Sequence, residues 1–140
     1  MRRVIQAVSF ALILAGLTLG ASYASAEDDE QVKVVFEHAL PNVQNKRVLA
    51  VLVTYPPGGK SVAHRHAPSA FVYAYVVSGA IRSQVGEQPV KIYTAGESFY
   101  EVPGSSHRIS ENASDKDPAA LLAVFIVDSN DVPLTMPDQK

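Results

Sequence analysis

The sequence predicts an all-β protein with a single domain. Short apolar stretches recur at roughly ten-residue spacing and are separated by turn residues, a pattern typical of a β-sandwich or barrel. No helical periodicity stands out after residue 26. Without its first 26 residues the chain has 114 residues, enough for one compact domain and too few for two.

The first 26 residues have the three parts of a secretory signal peptide. Residues 1–3 give a positive start, residues 4–19 are mostly apolar, and Ala24 and Ala26 are the small residues that a signal peptidase reads. The apolar run is short for a membrane span, because the hydrocarbon core is about 30 Å thick. We therefore expect cleavage after Ala26, a mature periplasmic or secreted domain at 27–140, and no membrane contact after cleavage.

Charge and composition exclude several classes of function. The mature chain keeps ten Lys and Arg residues against fourteen Asp and Glu residues, a net charge of −4. No basic stripe remains to neutralise phosphates, so nucleic acid is not an expected partner. The acidic run 27–30 is expected to be a solvated tail. The chain has no cysteine, so any metal must be held by imidazole, carboxylate or solvent.

Runs of β-branched and apolar residues between turn residues define the predicted strands. The second run ends at a Pro-Pro-Gly-Gly break, a Ser-Gly pair joins the third and fourth as a hairpin, and the last is the most apolar of the mature chain. The tail from Asp128 is expected to be irregular. The predicted strands are 31–37, 47–55, 71–77, 80–84, 90–93, 98–102, 107–110 and 119–127.

Three histidines are the candidate functional residues. His64 and His66 are two positions apart, so on an extended strand both imidazoles project to the same face. His107 follows a Pro-Gly turn as the chain enters another strand. If the two strands are neighbours, three nitrogens can meet on one ion and leave coordination positions open. The alternative is a surface location, which is common for an isolated His-x-His pair.

The spacing around these histidines resembles the two sequence motifs of the cupin superfamily. A glycine, five further residues and the His-x-His pair, followed by a strand and a Ser-Gly turn, resemble the first motif. A later glycine, a strand and a Pro-Gly turn before a histidine resemble the second. The residues are Gly58, His64, His66 and 75–79 for the first motif, and Gly96 and 103–107 for the second.

The resemblance covers about residues 46–127 and implies a double-stranded β-helix, a jelly-roll-type barrel of two sheets. It implies a divalent metal ion inside the barrel on His64, His66 and His107, with Fe(II) favoured and Mn, Ni, Cu or Zn as alternatives. A small-molecule substrate or ligand would enter from one mouth. Dimerisation through outer strands is common in the family, and a homodimer is therefore expected.

The chain departs from the family pattern at the glutamate that usually supplies a fourth ligand. Counting forward from His66 places Phe71 at that position, and counting back from Gly79 places Val72 there. Glu101, six residues before His107, could be a fourth ligand, a partner for a histidine N–H, or a side chain on the outer face. The last two are favoured over direct ligation.

The functional prediction follows from the absence of this glutamate ligand. Three neutral histidines leave a divalent ion with its full charge, which favours anionic ligands. Such a centre resembles those of certain iron-dependent dioxygenases, including enzymes that cleave β-diketones. The prediction is a metal-dependent oxidoreductase acting on a small chelating organic substrate. The alternatives are an exported cupin that binds a metal or a small molecule without turnover, and a degenerate site.

Export can be tested directly. When the full chain is expressed in a Gram-negative host, the periplasmic protein should begin at Glu27 by N-terminal sequencing, because Ala26 fits the small pocket of the peptidase. Replacing Ala26 with a bulky residue, as in Ala26→Phe, should leave the precursor uncut. An intact Met1 in the periplasmic protein would contradict the prediction.

Overall fold

A computed structural model describes residues 29–138, and all of their regular secondary structure is β-strand. The predicted signal peptide lies outside these residues. No helix in the described part of the chain has the length and apolar character needed to cross a membrane.

Ten strands follow one another along residues 29–138. They are β1 (Gln31–Ala39), β2 (Lys46–Tyr55), β3 (His64–His66), β4 (Phe71–Ser78), β5 (Ala80–Val85), β6 (Lys91–Thr94), β7 (Ser98–Glu101), β8 (Ser106–Asn112), β9 (Ala119–Asp128) and β10 (Thr135–Pro137). All eight strands predicted from the sequence are present, with ends that differ by a few residues.

The expectation of an irregular tail is wrong at β10. Its residues pair antiparallel with β3, with Thr135 opposite His66 and Pro137 opposite His64. Of the two prolines that suggested irregularity, Pro133 precedes the strand. Pro137 lies within it, at a sheet edge where its missing N–H is not needed.

The strands form two five-stranded antiparallel sheets. The first has the order β1-β2-β9-β4-β7 and the second β10-β3-β8-β5-β6. Their inward faces enclose one core, which confirms the all-β double-stranded β-helix. The strand β1 is an edge of the first sheet and its side chains are exposed.

Alternation along the two central strands of the first sheet builds one wall of the barrel interior. On β2, Val51, Val53 and Tyr55 are buried, and on β9 so are Leu121 and Ala123. The register places Val51 opposite Ala123, Val53 opposite Leu121 and Tyr55 opposite Ala119. Opposed residues share a face of the sheet, so these side chains form two parallel apolar rows.

The turn between β4 and β5 depends on Gly79. Its φ is +69°, and a Cβ atom there would lie 2.7 Å from the carbonyl oxygen of Pro118 and 2.9 Å from the Cα of Ala119. A side chain would therefore meet both an unfavourable backbone conformation and a steric clash with backbone atoms.

Gly79→Ala should lower the free energy of unfolding by about 2–4 kcal/mol, because strain and clash act together. Gly86→Ala is the matched control: Gly86 also has a positive φ, but nothing lies within 4 Å of an added Cβ. It should cost only about 1 kcal/mol. Urea unfolding of both variants measures the difference, and equal losses would show that the contact with β9 is unimportant.

Candidate metal centre

The three candidate histidines lie together because β3 and β8 are neighbours. His64 is directly opposite His107 in this antiparallel pair. The ring centroids of His64 and His66 are 4.9 Å apart, and those of His64 and His107 are 5.2 Å apart. One potential ligand atom from each ring lies within 4.8 Å of the other two. The cluster faces the barrel interior, so the surface location considered for the His-x-His pair is not what the structure shows.

Each imidazole has a second nitrogen that is held by the protein. Nδ1 of His64 lies 2.7 Å from the carbonyl oxygen of Val62, and Nδ1 of His66 lies 3.3 Å from that of Leu134. A carbonyl only accepts, so Nδ1 carries the proton in both rings and Nε2 keeps a lone pair. Both rings therefore have the tautomer that a metal ligand requires.

The third ring is oriented by a hydroxyl group. Nε2 of His107 lies 2.9 Å from Oγ of Ser83 on the neighbouring strand β5, and both residues are buried. Nδ1 of this ring faces Glu101, at 3.1 Å from Oε1, and is the nitrogen that a metal ion would bind in place of a proton. The hydrogen bond therefore fixes the ring in a ligand orientation.

The environment of His64 also favours ligation. Burial lowers the pKa of His64 from its usual value to about 4, and this effect outweighs the hydrogen bond with Val62. The imidazole is therefore neutral at pH 7, which is the form that binds a metal ion.

Glu101 lies inside the barrel, so the outer-face location considered for it is wrong. The residue is 2% exposed, and Oε1 is 3.1 Å from Nδ1 of His107 and 3.5 Å from Nε2 of His66. The reason is the alternation along β7, in which Phe99 and Glu101 point inward while Ser98 and Tyr100 point outward.

The position of Glu101 accounts for the missing motif glutamate. Val72 on β4, one of the two positions where that glutamate was sought, is directly opposite Glu101 on β7. Opposed residues of an antiparallel pair project to the same face. The carboxylate that β4 lacks therefore enters the barrel from the adjacent strand.

The charge state of Glu101 fits a cation. Burial alone would raise the pKa of the carboxyl group, but the hydrogen bond from His107 and the adjacent ring of His66 outweigh it and lower the pKa to about 2. Oε2 is buried and has no hydrogen-bond partner among the described residues. A buried carboxylate with an unpartnered oxygen beside three imidazoles is a donor set for a divalent transition-metal ion.

The distances are compatible with both roles predicted for Glu101 inside the barrel, a fourth ligand or a partner for a histidine N–H. Ligand atoms bound at about 2.1 Å lie about 3.0 Å apart at right angles around one ion and about 3.4 Å apart in a tetrahedron. The two distances from Oε1 to histidine nitrogens, 3.1 and 3.5 Å, match this range. The same distances also fit N–H···O contacts, so His64, His66 and His107, whose ligand atoms lie within 4.8 Å of one another, are the residues that would hold the metal. Glu101 is a candidate fourth donor beside two of them.

The cluster borders a cavity of about 310 Å³ inside the barrel. The ring of Phe125 packs edge-on against His66, with centroids 4.9 Å apart. Most of the remaining wall is apolar, with the polar exceptions at Ser110, Thr135, Tyr55, Ser61 and Glu30. The volume suits a small organic molecule that reaches the histidines.

The sequence did not identify Glu30 as a site residue. It belongs to the acidic run 27–30, which was expected to be a solvated tail, yet it lines the cavity and accepts a hydrogen bond from Ser61. His38, to which no role was assigned, lies on the exposed strand β1 away from the cavity.

Metal binding by the mature protein tests this donor set. We expect one equivalent of Fe(II), Mn(II) or Zn(II) by calorimetry and elemental analysis, with stoichiometric binding lost in His107→Ala. Glu101→Gln should weaken binding about 10–100-fold, because an amide is a poorer ligand than a carboxylate. Glu97→Gln is the control, because this nearby carboxylate is exposed and bonds only to Thr94. Unchanged affinity in Glu101→Gln would exclude Glu101 as a ligand.

Several solved structures share this fold. An uncharacterised conserved protein with a double-stranded β-helix domain from Klebsiella pneumoniae aligns with a TM-score of 0.62 and 22% identity, over 83% of this chain and 89% of that chain. KdgF from Halomonas sp. aligns with a TM-score of 0.55 and 19% identity, over 74% and 84% of the two chains.

Recombinant oxalate oxidase in complex with glycolate aligns with a TM-score of 0.61 and 20% identity, over 81% of this chain and 57% of that chain. This chain therefore spans little more than half of the oxidase. At these identities the three likenesses establish the fold alone.

A family model identifies the chain at the level of sequence. No curated protein gives a significant match. The model of the cupin domain matches residues 51–125, more than half of the chain, and this segment contains all four candidate ligands. Two antiparallel sheets and a histidine triad that could bind a metal ion agree with this match. The protein is a member of the cupin family.

Proposed function

We propose that this cupin is a mononuclear metal-dependent oxidoreductase of the dioxygenase type, acting on a small organic substrate that chelates the ion. The observation that carries the proposal is the donor cluster of three histidines and Glu101 beside an apolar cavity. Four protein donors leave two positions of an octahedral ion open, which is what a bidentate substrate needs.

Fe(II) is the metal that we favour, with Mn(II), Ni(II), Cu(II) or Zn(II) as alternatives, because imidazole and carboxylate donors suit all of them. When bound, iron supplies the redox chemistry that couples an organic substrate to oxygen. A divalent ion on three neutral histidines would keep two positive charges. With the ionised carboxylate of Glu101 beside it, the centre would carry one net positive charge and would still attract an anionic chelating group.

The protein's own residues bind, orient and desolvate the substrate. The carbonyl of Val62, the carbonyl of Leu134 and the hydroxyl of Ser83 hold the three imidazoles in place. The apolar rows of β2 and β9 surround the body of the substrate and exclude water from it.

Location and assembly are further parts of the proposal. The signal sequence supports function in the periplasm or outside the cell. The exposed apolar side chains of β1, among them Val32, Val34 and Phe36, support a homodimer formed through this outer strand.

A second candidate function is binding without turnover. A histidine-rich site outside the cytoplasm can exchange iron for zinc or copper, neither of which would support the proposed reaction. The same cavity would then hold a metal and a small molecule.

Oxygen consumption distinguishes the two functions. Protein 27–140 is first loaded with Fe(II) in the absence of air and then assayed in buffer that contains oxygen. Addition of 2,4-pentanedione should start oxygen consumption, with matching loss of the diketone. His107→Ala should reduce the rate at least 100-fold, because the donor cluster is incomplete. His38→Ala should keep the rate, since His38 lies outside the cavity.

A shift of the metal's absorption on addition of 2,4-pentanedione with no oxygen uptake would overturn the oxidoreductase in favour of the binding protein. Oxygen uptake that persists in His107→Ala would come from free iron and would also contradict the proposal.

A further inference from the structure

We propose that the cavity selects a chelating substrate with an apolar body and a hydrogen-bond donor, such as a hydroxyl group, at the end remote from the metal centre. This inference rests on the proposed function, since it assigns the class of substrate for the same cavity. The residues that carry it are Tyr55, Ser61, Ser110 and Glu30, which line the cavity and form one hydrogen-bonded group, here called the hydroxyl cluster.

The hydroxyl cluster is a continuous chain of hydrogen bonds. The phenolic oxygen of Tyr55 lies 2.7 Å from Oγ of Ser61 and 2.9 Å from Oγ of Ser110. Ser61 in turn donates to the carboxylate of Glu30. Tyr55 is 1% exposed, and burial raises the pKa of its phenol above the usual value, so the group keeps its proton.

The direction of every proton in this chain is determined by Glu30. The carboxylate of Glu30 accepts from Ser61, and each hydroxyl has a single proton. Ser61 gives its proton to Glu30, so Tyr55 must donate to Ser61. Ser110 must then donate to Tyr55. All three protons point towards Glu30, and the free positions of the cluster are lone pairs that accept a proton from a ligand.

The register of the strands places this cluster beyond the histidines along β8. Ser110 is three residues past His107, and the bulge between them makes the span shorter than the roughly 10 Å of a regular strand. Ser83, opposite Ser110, lies between the two groups and contacts His107. On the facing sheet, Phe125 contacts His66, whereas Ala119, six residues earlier on β9, is opposite Tyr55. The two ends of the cavity are therefore polar and chemically different.

The space between these ends is apolar and bears no cationic side chain. Val51, Val53, Leu121 and Ala123 form the wall from one end to the other. Among the described residues that line the cavity, the charged side chains besides histidine are the carboxylates Glu30 and Glu101. The metal would thus be the single positive group for an anion, and a compact dicarboxylate such as oxalate would bind there without reaching the hydroxyl cluster.

Two aryl diketones that differ in one group test the inference. The probes are 1-(4-hydroxyphenyl)butane-1,3-dione and its 4-methoxy analogue, titrated calorimetrically into protein 27–140 loaded with one equivalent of Zn(II). The hydroxyl probe should bind about tenfold more tightly, because it donates to the cluster whereas the methoxy oxygen only accepts.

Glu30→Gln tests the proton direction itself. The amide of glutamine can donate to Ser61. The hydrogen bonds of the hydroxyl cluster can then reverse direction, so that one of its hydroxyl groups donates to the ligand. The methoxy probe should then bind more tightly and the ratio of the two affinities should fall below threefold. Tyr75→Phe is the control, because Tyr75 points outward on β4, and it should keep the wild-type ratio.

Equal affinities for the two probes in the wild-type protein would overturn the inference, and so would an unchanged ratio in Glu30→Gln. Zinc is redox-inactive, so these binding measurements are independent of oxygen chemistry. A failure of oxygen consumption with iron would therefore reject the proposed reaction and leave the affinity ratio as a separate result.

Discussion

The antiparallel pairing of β3 with β8 is the constraint on which the rest of the site depends. It places His64 opposite His107, and the alternation along β3 brings His66 to the same side. A single strand could not bring three imidazoles onto one ion, because the first and third of its inward-facing residues lie about 13 Å apart. The flanking strands complete the arrangement: β5 contributes Ser83, and the segment entering β10 contributes the carbonyl of Leu134.

The carboxylate of the centre shows how a barrel can keep a donor while its sequence motif loses it. Val72 and Glu101 are partners across two strands, so an exchange between them changes the strand of origin and leaves the carboxylate on the same inner face. An apolar valine on one strand is then compensated by a buried acid on the other. Comparison by motif would find no carboxylate at such a site, whereas the register places one beside the histidines.

Much of the fold and part of the site could be predicted from local patterns. Turn residues and apolar runs give eight of the strands, and the two motifs identify the three histidines that the structure brings together. Glu101 and Glu30 could not be placed in the same way. The position of Glu101 depends on its pairing with Val72, and that of Glu30 on a contact with Ser61, thirty-one residues away. Such contacts depend on strand register, which local periodicity does not specify.

The late position of β10 affects when the centre can form. His66 takes its orientation from Leu134 and Thr135, and β3 is covered on one side by the last described strand. A chain that emerges from the ribosome or from a translocon with its N-terminus first contains all four donors well before these residues appear. His66 is therefore held in its orientation only after residues 134 and 135 have been synthesised. A metal ion at this site would meet three held imidazoles only once β10 has docked on β3, which would couple metal binding to the folding of that segment.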